Sequence, residues 1–293
     1  MTGAPPPSKS AERGVPSLVW RAGQDRRWSI ICRAAGDRLT AGRVLDVGCG
    51  VGLYLQAFRS VTAQVFGIEI EGDRAHQARE HGYVVQAPGE RLPLADHSFD
   101  LVLSHEVIEH VADDRVCVAE MVRVLRVGGR LVLFCPNRLY PFETHGHYWR
   151  GRYHFGNTPL VNYLPDPLRR RLVPHVRAYT ARCLQALFTG LPVRIVMHSY
   201  VYPGYDKLVA RRPRLGRLLR WITYRLERTP LQRLGLSHVL VVEKVACDPP
   251  HPPAGEAGCV SQQAQPSTGS PSRRLVDRLF RARSHRCEQT VLG

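Results

Sequence analysis

The residues Val44 to Gly52 read V-L-D-V-G-C-G-V-G, a short apolar strand running into glycines 48, 50 and 52 and then into a helix. A bend without side chains lets a ligand touch backbone, and the helix start offers unpaired N–H groups and a partial positive charge to a carboxylate or phosphate. The dinucleotide fingerprint needs its third glycine at position 53, where Leu53 stands, so the G-x-G-x-G spacing disfavours nicotinamide cofactors. Asp46, just before the bend, would repel a pyrophosphate but suits an ammonium group. Glu69, closing the next strand, can accept two hydrogen bonds from a ribose diol. Ammonium and ribose together point to S-adenosylmethionine.

Methyl transfer from a sulfonium needs an aligned nucleophile and a dry site, with no covalent help from the protein. If the acceptor is a hydroxyl, its proton must leave, and a histidine near the sulfur is the natural base. His105 and His110 follow the fourth strand, and His145 and His147 follow the fifth. Ligands bind at such carboxyl ends, so these four, with His154 also after the fifth strand, are the catalytic candidates, weighed against ordinary hydrogen-bonded roles. A second chemistry is written in E-V-I-E-H, Glu106 to His110. On a helix this spacing puts Glu106, Glu109 and His110 on one face, able to hold a divalent cation such as magnesium. A metal polarising a sugar or catechol hydroxyl would replace the base.

The elements that must position these groups alternate from about residue 43. Strands are expected at Arg43–Val47, Ala63–Ile68, Tyr83–Gln86, Asp100–Ser104, Arg130–Cys135, Val193–Ser199 and Ser237–Val245. Helices are expected at Gly52–Ser60, Asp73–His81, Asp113–Val127 (stopped by Gly128-Gly129) and Thr180–Thr189. Alternation of this kind is the signature of a doubly wound α/β sheet. Two segments exceed mere connections. The stretch 138–177 interleaves tyrosine, phenylalanine, tryptophan and histidine with arginine and is expected to form a cap that selects the acceptor or, failing that, a small satellite core. The stretch 202–235 is a basic insertion with Leu215, Leu218, Leu219, Ile222 and Leu226 at helical spacing, able to lie on an anionic membrane or to pack on the domain.

The blocks Val44–Gly52, G-I-E-I ending at Ile70, Arg91–Val102, His105–Val111 and Leu125–Leu133 together resemble the class I S-adenosylmethionine-dependent methyltransferases, specifically the type 11 group, over Arg43 to about Val245. The resemblance implies a Rossmann-like fold, a mostly parallel seven-stranded sheet with the cap after strand five and the insertion between strands six and seven. It implies that Asp46, Gly48 and Gly50 line the methionine end, Glu69 the ribose, and Ser104 with His105 the backbone wall beside the sulfonium, with Cys49, Gly52 and Ile70 also among the cofactor-binding residues. Pro88 in Q-A-P-G-E stands where the family often has an acid, so adenine is left to backbone around Gly89 and Glu90. E-V-I-E-H is also similar to small-RNA ribose 2′-O-methyltransferases, which carry a further metal-ligating histidine after strand five. His175 is the position matched to it.

Composition bounds the rest. The 293 residues are 44% hydrophobic and 23% charged, ordinary globular usage, which excludes wholesale disorder and fibrous architectures. No apolar run approaches a membrane span, and the polar, Pro-rich start carries no leader-like stretch, so a cytoplasmic protein is expected, with a peripheral membrane role open. Eight scattered cysteines signal neither a disulfide framework nor a zinc ribbon and read as reduced thiols. The net charge of +16 is uneven: residues 44–137 hold 8 basic against 13 acidic, while 138–247 hold 19 against 5. That excess favours anionic partners. The organisation expected is a helical or flexible lead-in over 1–42, the methyltransferase domain over 43–247, and a disordered tail over 248–293. The leading function is O-methylation of a small or lipid-linked acceptor. The alternatives are metal-dependent RNA ribose methylation and a non-catalytic cofactor-binding protein.

Overall fold

The computed structural model describes residues 20–246. The expected disordered tail and most of the lead-in lie outside these residues. Strands β1 (Val44–Val47), β2 (Val65–Glu69), β3 (Tyr83–Gln86), β4 (Phe99–His105) and β5 (Leu125–Pro136) come first. Two short antiparallel pairs follow, β6 (Phe142–Glu143) with β9 (Thr158–Pro159) and β7 (His147–Trp149) with β8 (Arg152–His154), and then β10 (Val193–Val201) and β11 (Ser237–Lys244). The main sheet has seven strands in the order β10-β11-β5-β4-β1-β2-β3. Strands β1 to β5 are parallel, and β11 runs antiparallel to both its neighbours. This is the Rossmann-like sheet the sequence implied.

Side-chain alternation sorts the strands onto two cores. Leu101, Leu103, Val132, Phe134, Val239 and Val241 face one cluster, under α1 (Ala22–Ala35), α2 (Leu53–Arg59) and α3 (Gly72–Ala78). Val102, Leu131, Leu133, Leu240 and Val242 face the other, under α4 (Asp114–Val124) and, beyond the cap helix α5 (Asp166–Leu172), α6 (Ala181–Ala186). Covered on both faces, these strands read as near-continuous apolar runs rather than as alternating ones. Each fully buried side chain, such as Phe58 or Phe134 at 0% exposure, contributes roughly 1.5–3 kcal/mol.

Two helix ends differ from expectation. The helix expected to reach Val127 stops at Val124, because Leu125 turns extended (φ −68°, ψ 142°) and pairs with Phe99. The glycines then lie inside β5. The helix expected over Thr180–Thr189 is only α6, capped by the Thr180 hydroxyl accepting from the Cys183 N–H at 3.2 Å. The insertion between β10 and β11 forms α7 (Asp206–Arg211) and α8 (Pro213–Leu226). They pack closely through Gly216, where a Cβ would sit 2.6 Å from the Val209 nitrogen. Glu227 ties the insertion to α1 through Arg26. Cys32, Cys49, Cys117, Cys135 and Cys183 are free thiols. Among the described residues no helix is long and apolar enough to cross a membrane.

Candidate active site

The carboxyl ends of β1, β2 and β4 open onto a cavity of about 1320 Å³, room for a nucleoside-sized donor and an acceptor together. Gly48 sits at its floor with φ +75°, and a Cβ there would lie 2.4 Å from Val107 Cγ2, so no side chain fits. The bend is held by its own amides. Gly48 and Cys49 N–H groups donate to the Ile68 carbonyl at 2.8 and 3.0 Å, and Gly50 N–H donates to Glu69 Oε2 at 2.8 Å. These three amides therefore brace the bend against β2. Glu69 Oε1 accepts from the Glu71 N–H at 3.0 Å, which leaves each carboxylate oxygen one lone pair for a diol. Gly52 departs from expectation: it caps α2 with φ +88°, where a Cβ would lie 3.2 Å from Ala78 Cα, and it is outside the cavity lining.

Asp46 and Glu69 are 2% and 5% exposed, Asp46 opposite Gly67 on the paired strand and Glu69 two residues further on. Burial first, and then the Glu69 charge, push Asp46 well above the usual carboxylate range. A cation at this point would relieve both, which fits the ammonium of the expected cofactor. Cys49, Gly50, Ile70, Gly89 and Glu90 line the same end. Glu90 Oε1 accepts from the Ala112 N–H at 2.7 Å, so its carboxylate fixes the far wall.

That wall is the segment after β4, and it is not helical. Glu106 adopts φ +57°, and its Oε1 accepts from the Ser237 hydroxyl at 2.6 Å. Tyr179 donates to the Ile108 carbonyl at 3.0 Å, and Arg177 donates to the carbonyls of Val111 and Ala112 at 2.5 and 2.8 Å. The face expected to unite Glu106, Glu109 and His110 therefore does not form. Burial would raise Glu106, but His105, Arg27 and the Ser237 hydroxyl together hold it below its ordinary value. Ser104 is fully buried in β4 between Val47 and Leu133 and lies beneath the wall instead of forming it. His105 does line the cavity, between the rings of Tyr54 and Phe134 at 5.1 Å each. Burial lowers it to about 4, which leaves it neutral and a poor proton acceptor near pH 7.

The cap contributes Thr144, His145 and Phe155 to the cavity. Glu143 and His145 alternate on one extended face, and Glu143 Oε1 lies 3.0 Å from His145 Nδ1. Arg169 donates to Glu143 Oε2 at 2.7 Å. Burial would raise Glu143, yet the bonds from His145 and Arg169 hold it down at about 2. An ionised Glu143 selects the tautomer with the proton on Nδ1 and leaves the Nε2 lone pair free. His147 departs from expectation: its Nδ1 meets the Thr158 hydroxyl at 2.8 Å, its ring stacks on His154, and it is not among the lining residues.

Glu109, His110 and His145 can bring one donor atom each within 4.8 Å of one another. Glu109 is 1% exposed, and neither of its carboxylate oxygens finds a hydrogen-bond partner among the described residues. Burial and the Glu106 charge push it well above its usual range. A divalent cation fits this donor set. The expected set is thereby corrected. Glu106 is engaged by Ser237, and His175 donates from Nε2 to the His145 carbonyl at 3.2 Å, so neither joins, while His145 does.

Sequence reasoning did not single out Glu143, nor Arg21, Arg27 and Lys207, three cations that line the cavity. Arg27 Nε is buried without a partner. The E-T-H spacing was the available signal for Glu143. Arg21 and Arg27 belong to the start of α1, a segment without any motif.

Residues 45–133 match the family model described as "Methyltransferase domain". A Mycobacterium tuberculosis protein named "Probable S-adenosylmethionine-dependent methyltransferase Rv3030" is 34% identical over 133 residues, covering 44% of this chain and 48% of the relative. An "Uncharacterized methyltransferase" of Mycobacterium ulcerans is 38% identical over 127 residues, covering 40% and 50%. The chain spans about half the length of these curated relatives. Among solved structures, an S-adenosylmethionine-dependent methyltransferase from Mesorhizobium loti superposes with a TM-score of 0.52 at 18% identity, over 74% of this chain and 97% of that one. The [4+2]-cyclase SpnF gives 0.51 at 18%, over 78% and 85%. Likeness at this level is likeness of fold, and a cyclase among the neighbours means that the fold by itself does not fix the reaction.

Proposed function

We propose that the chain, whose residues 45–133 match the methyltransferase-domain family model, is an S-adenosylmethionine-dependent O-methyltransferase acting on a small or lipid-linked acceptor. The observation that carries the choice of a hydroxyl is the Glu143–His145 pair on the cavity wall, held by Arg169. When bound, S-adenosylmethionine supplies a methyl group already activated by the sulfonium charge. Ionised Asp46 would hold the ammonium, and Glu69 would accept from the ribose hydroxyls with its remaining lone pairs. His145 Nε2, its lone pair free, would accept the proton of an acceptor hydroxyl as that oxygen is methylated. Glu143 stays ionised and stabilises the imidazolium that results. Arg21, Arg27 and Lys207 suit an acceptor that carries a negative group.

A second reading rests on Glu109, a buried carboxylate without a hydrogen-bond partner among the described residues, its Oε1 3.9 Å from His110 Nε2. A divalent cation held by Glu109, His110 and His145 would activate the hydroxyl directly, making His145 a ligand in place of a base. Two imidazoles favour a transition-metal ion over magnesium. Chelator dialysis separates the two: the base reading expects retained turnover, and the metal reading expects loss restored by added Mn²⁺ or Zn²⁺. The primary test is transfer of labelled methyl to fractionated lipids, RNA and small metabolites by the full chain. Label in the lipid or metabolite fraction, as a base-stable ether, supports the proposal. Label in RNA alone overturns the acceptor class, and failure to release S-adenosylhomocysteine with every fraction overturns the enzymatic reading.

A further inference from the structure

We propose that the outer face of α8 docks on an anionic phospholipid surface. The helix buries only Gly216 and Thr223. Leu215, Leu218, Trp221 and Ile222 are 48%, 54%, 55% and 40% exposed. At roughly 100° per residue, Leu215, Leu218 and Ile222 share an arc of about 60°, and Arg214, Trp221 and Arg225 occupy the next ~60°. A helix that packs on a globular domain normally turns such a stripe inward. Here the packing face is the small one, set by the close approach of Gly216 to Val209, and the large apolar side chains are left on the outside. An exposed apolar sector of this kind marks an interaction surface.

Charge selects the partner. Between Asp206 and Leu234 stand nine basic and two acidic residues. Both acids are engaged within the fold, Asp206 by Arg220 at 3.0 Å and Glu227 by Arg26 and the Tyr202 N–H. No ion pair links Arg214, Arg217 or Arg225 to a carboxylate among the described residues, and all three are exposed. Arg225 lies 4.2 Å over the Trp221 ring, a pairing that keeps an aromatic body and a cation at the same depth. Nucleic acid would neutralise the arginines but leave the leucines in water. The boundary between headgroups and acyl chains accommodates both, apolar side chains below and guanidinium groups at the phosphates. The hairpin of α7 and α8 also carries Lys207 to the cavity. The inference stands on α8 and does not depend on the reaction.

Flotation of the full chain with vesicles tests it. The chain is expected to float with phosphatidylcholine–phosphatidylglycerol vesicles, weakly with phosphatidylcholine alone, and less as salt rises. The doubles L218S/W221S and R214E/R217E should each lower partition on the order of tenfold. Unchanged S-adenosylhomocysteine affinity, read by calorimetry, reports an intact fold in both. No flotation of the unaltered chain overturns the proposal, as does full flotation of both variants. Two further outcomes also overturn it: self-association abolished by L218S/W221S without flotation assigns the face to a second copy, and salt-sensitive RNA retention without flotation assigns it to nucleic acid.

Discussion

At the donor end the charge state of Asp46 governs affinity. Its folded value is raised by burial and by Glu69, so between the unfolded value, about 4, and the folded one, the native chain holds a proton that the unfolded chain has released. Stability of the ligand-free protein is therefore fullest below that window and declines as pH rises through it. Ligand binding runs the other way, because only the carboxylate pairs with an ammonium. Titration calorimetry should show S-adenosylhomocysteine binding tighten as pH rises through the folded value, and a flat profile would overturn the assignment. Asp46→Asn should raise the melting temperature of the free protein while weakening the ligand by about 2 kcal/mol, roughly thirtyfold. Asp46 was legible in the sequence because a strand–bend–helix motif fixes its place within nine residues. Glu143 was not, because what makes it functional is Arg169, 26 residues further on and brought near by the cap.

Among the elements, the cap depends on one buried pair. Glu143 is depressed to about 2 from an ordinary value of 4.5, which corresponds to a contribution of about 3 kcal/mol. That contribution is present above the unfolded value and is lost as pH falls from about 4.5 through about 2. Glu143→Gln leaves the Arg169 guanidinium buried and unpaired and should cost ~3 kcal/mol, read as a lowered melting temperature with faster amide exchange over residues 142–176. Unchanged exchange there would refute the role. The α7–α8 hairpin offers a separate check. Gly216→Val drives a side chain into the Val209 backbone, so amide exchange over 206–226 should quicken and about 1–3 kcal/mol of local stability should go, with S-adenosylhomocysteine affinity unaltered. The strands were legible because burial on both faces makes them apolar runs. The segment E-V-I-E-H misled because its conformation is imposed by Ser237, Tyr179 and Arg177, residues at least 65 positions away along the chain whose contacts no local spacing encodes.

At the scale of the whole molecule, charge among the described residues is sorted along the chain, and the fold brings both signs to one cavity. The acidic stretch 44–137 supplies Asp46, Glu69 and Glu90 to the lining, with Arg74 beside them, while Arg21 and Arg27 from the lead-in and Lys207 from the insertion add three further cations to it. The net excess was visible from composition, but its delivery to one cavity was not, because α1 and α7 are 170 residues apart and only the packed sheet brings them to the same opening. Low-dielectric walls lined with one sign of charge concentrate ions of the other sign, and exposed charges of this sort act on encounter more than on final affinity. An anionic acceptor should therefore show kcat/KM that falls as ionic strength rises through the range where the Debye length shrinks to about 10 Å, with kcat nearly constant. Lys207→Glu should raise the acceptor KM several-fold, on the order of tenfold, and flatten that salt dependence, while calorimetry shows donor-end affinity intact. Lys207 is exposed, so the fold is expected to survive the substitution. With the acceptor fraction identified by labelled transfer, an unchanged KM, or a salt dependence as steep as before, would mean that these cations do not meet the acceptor and that substrate choice lies with Thr144 and Phe155 of the cap.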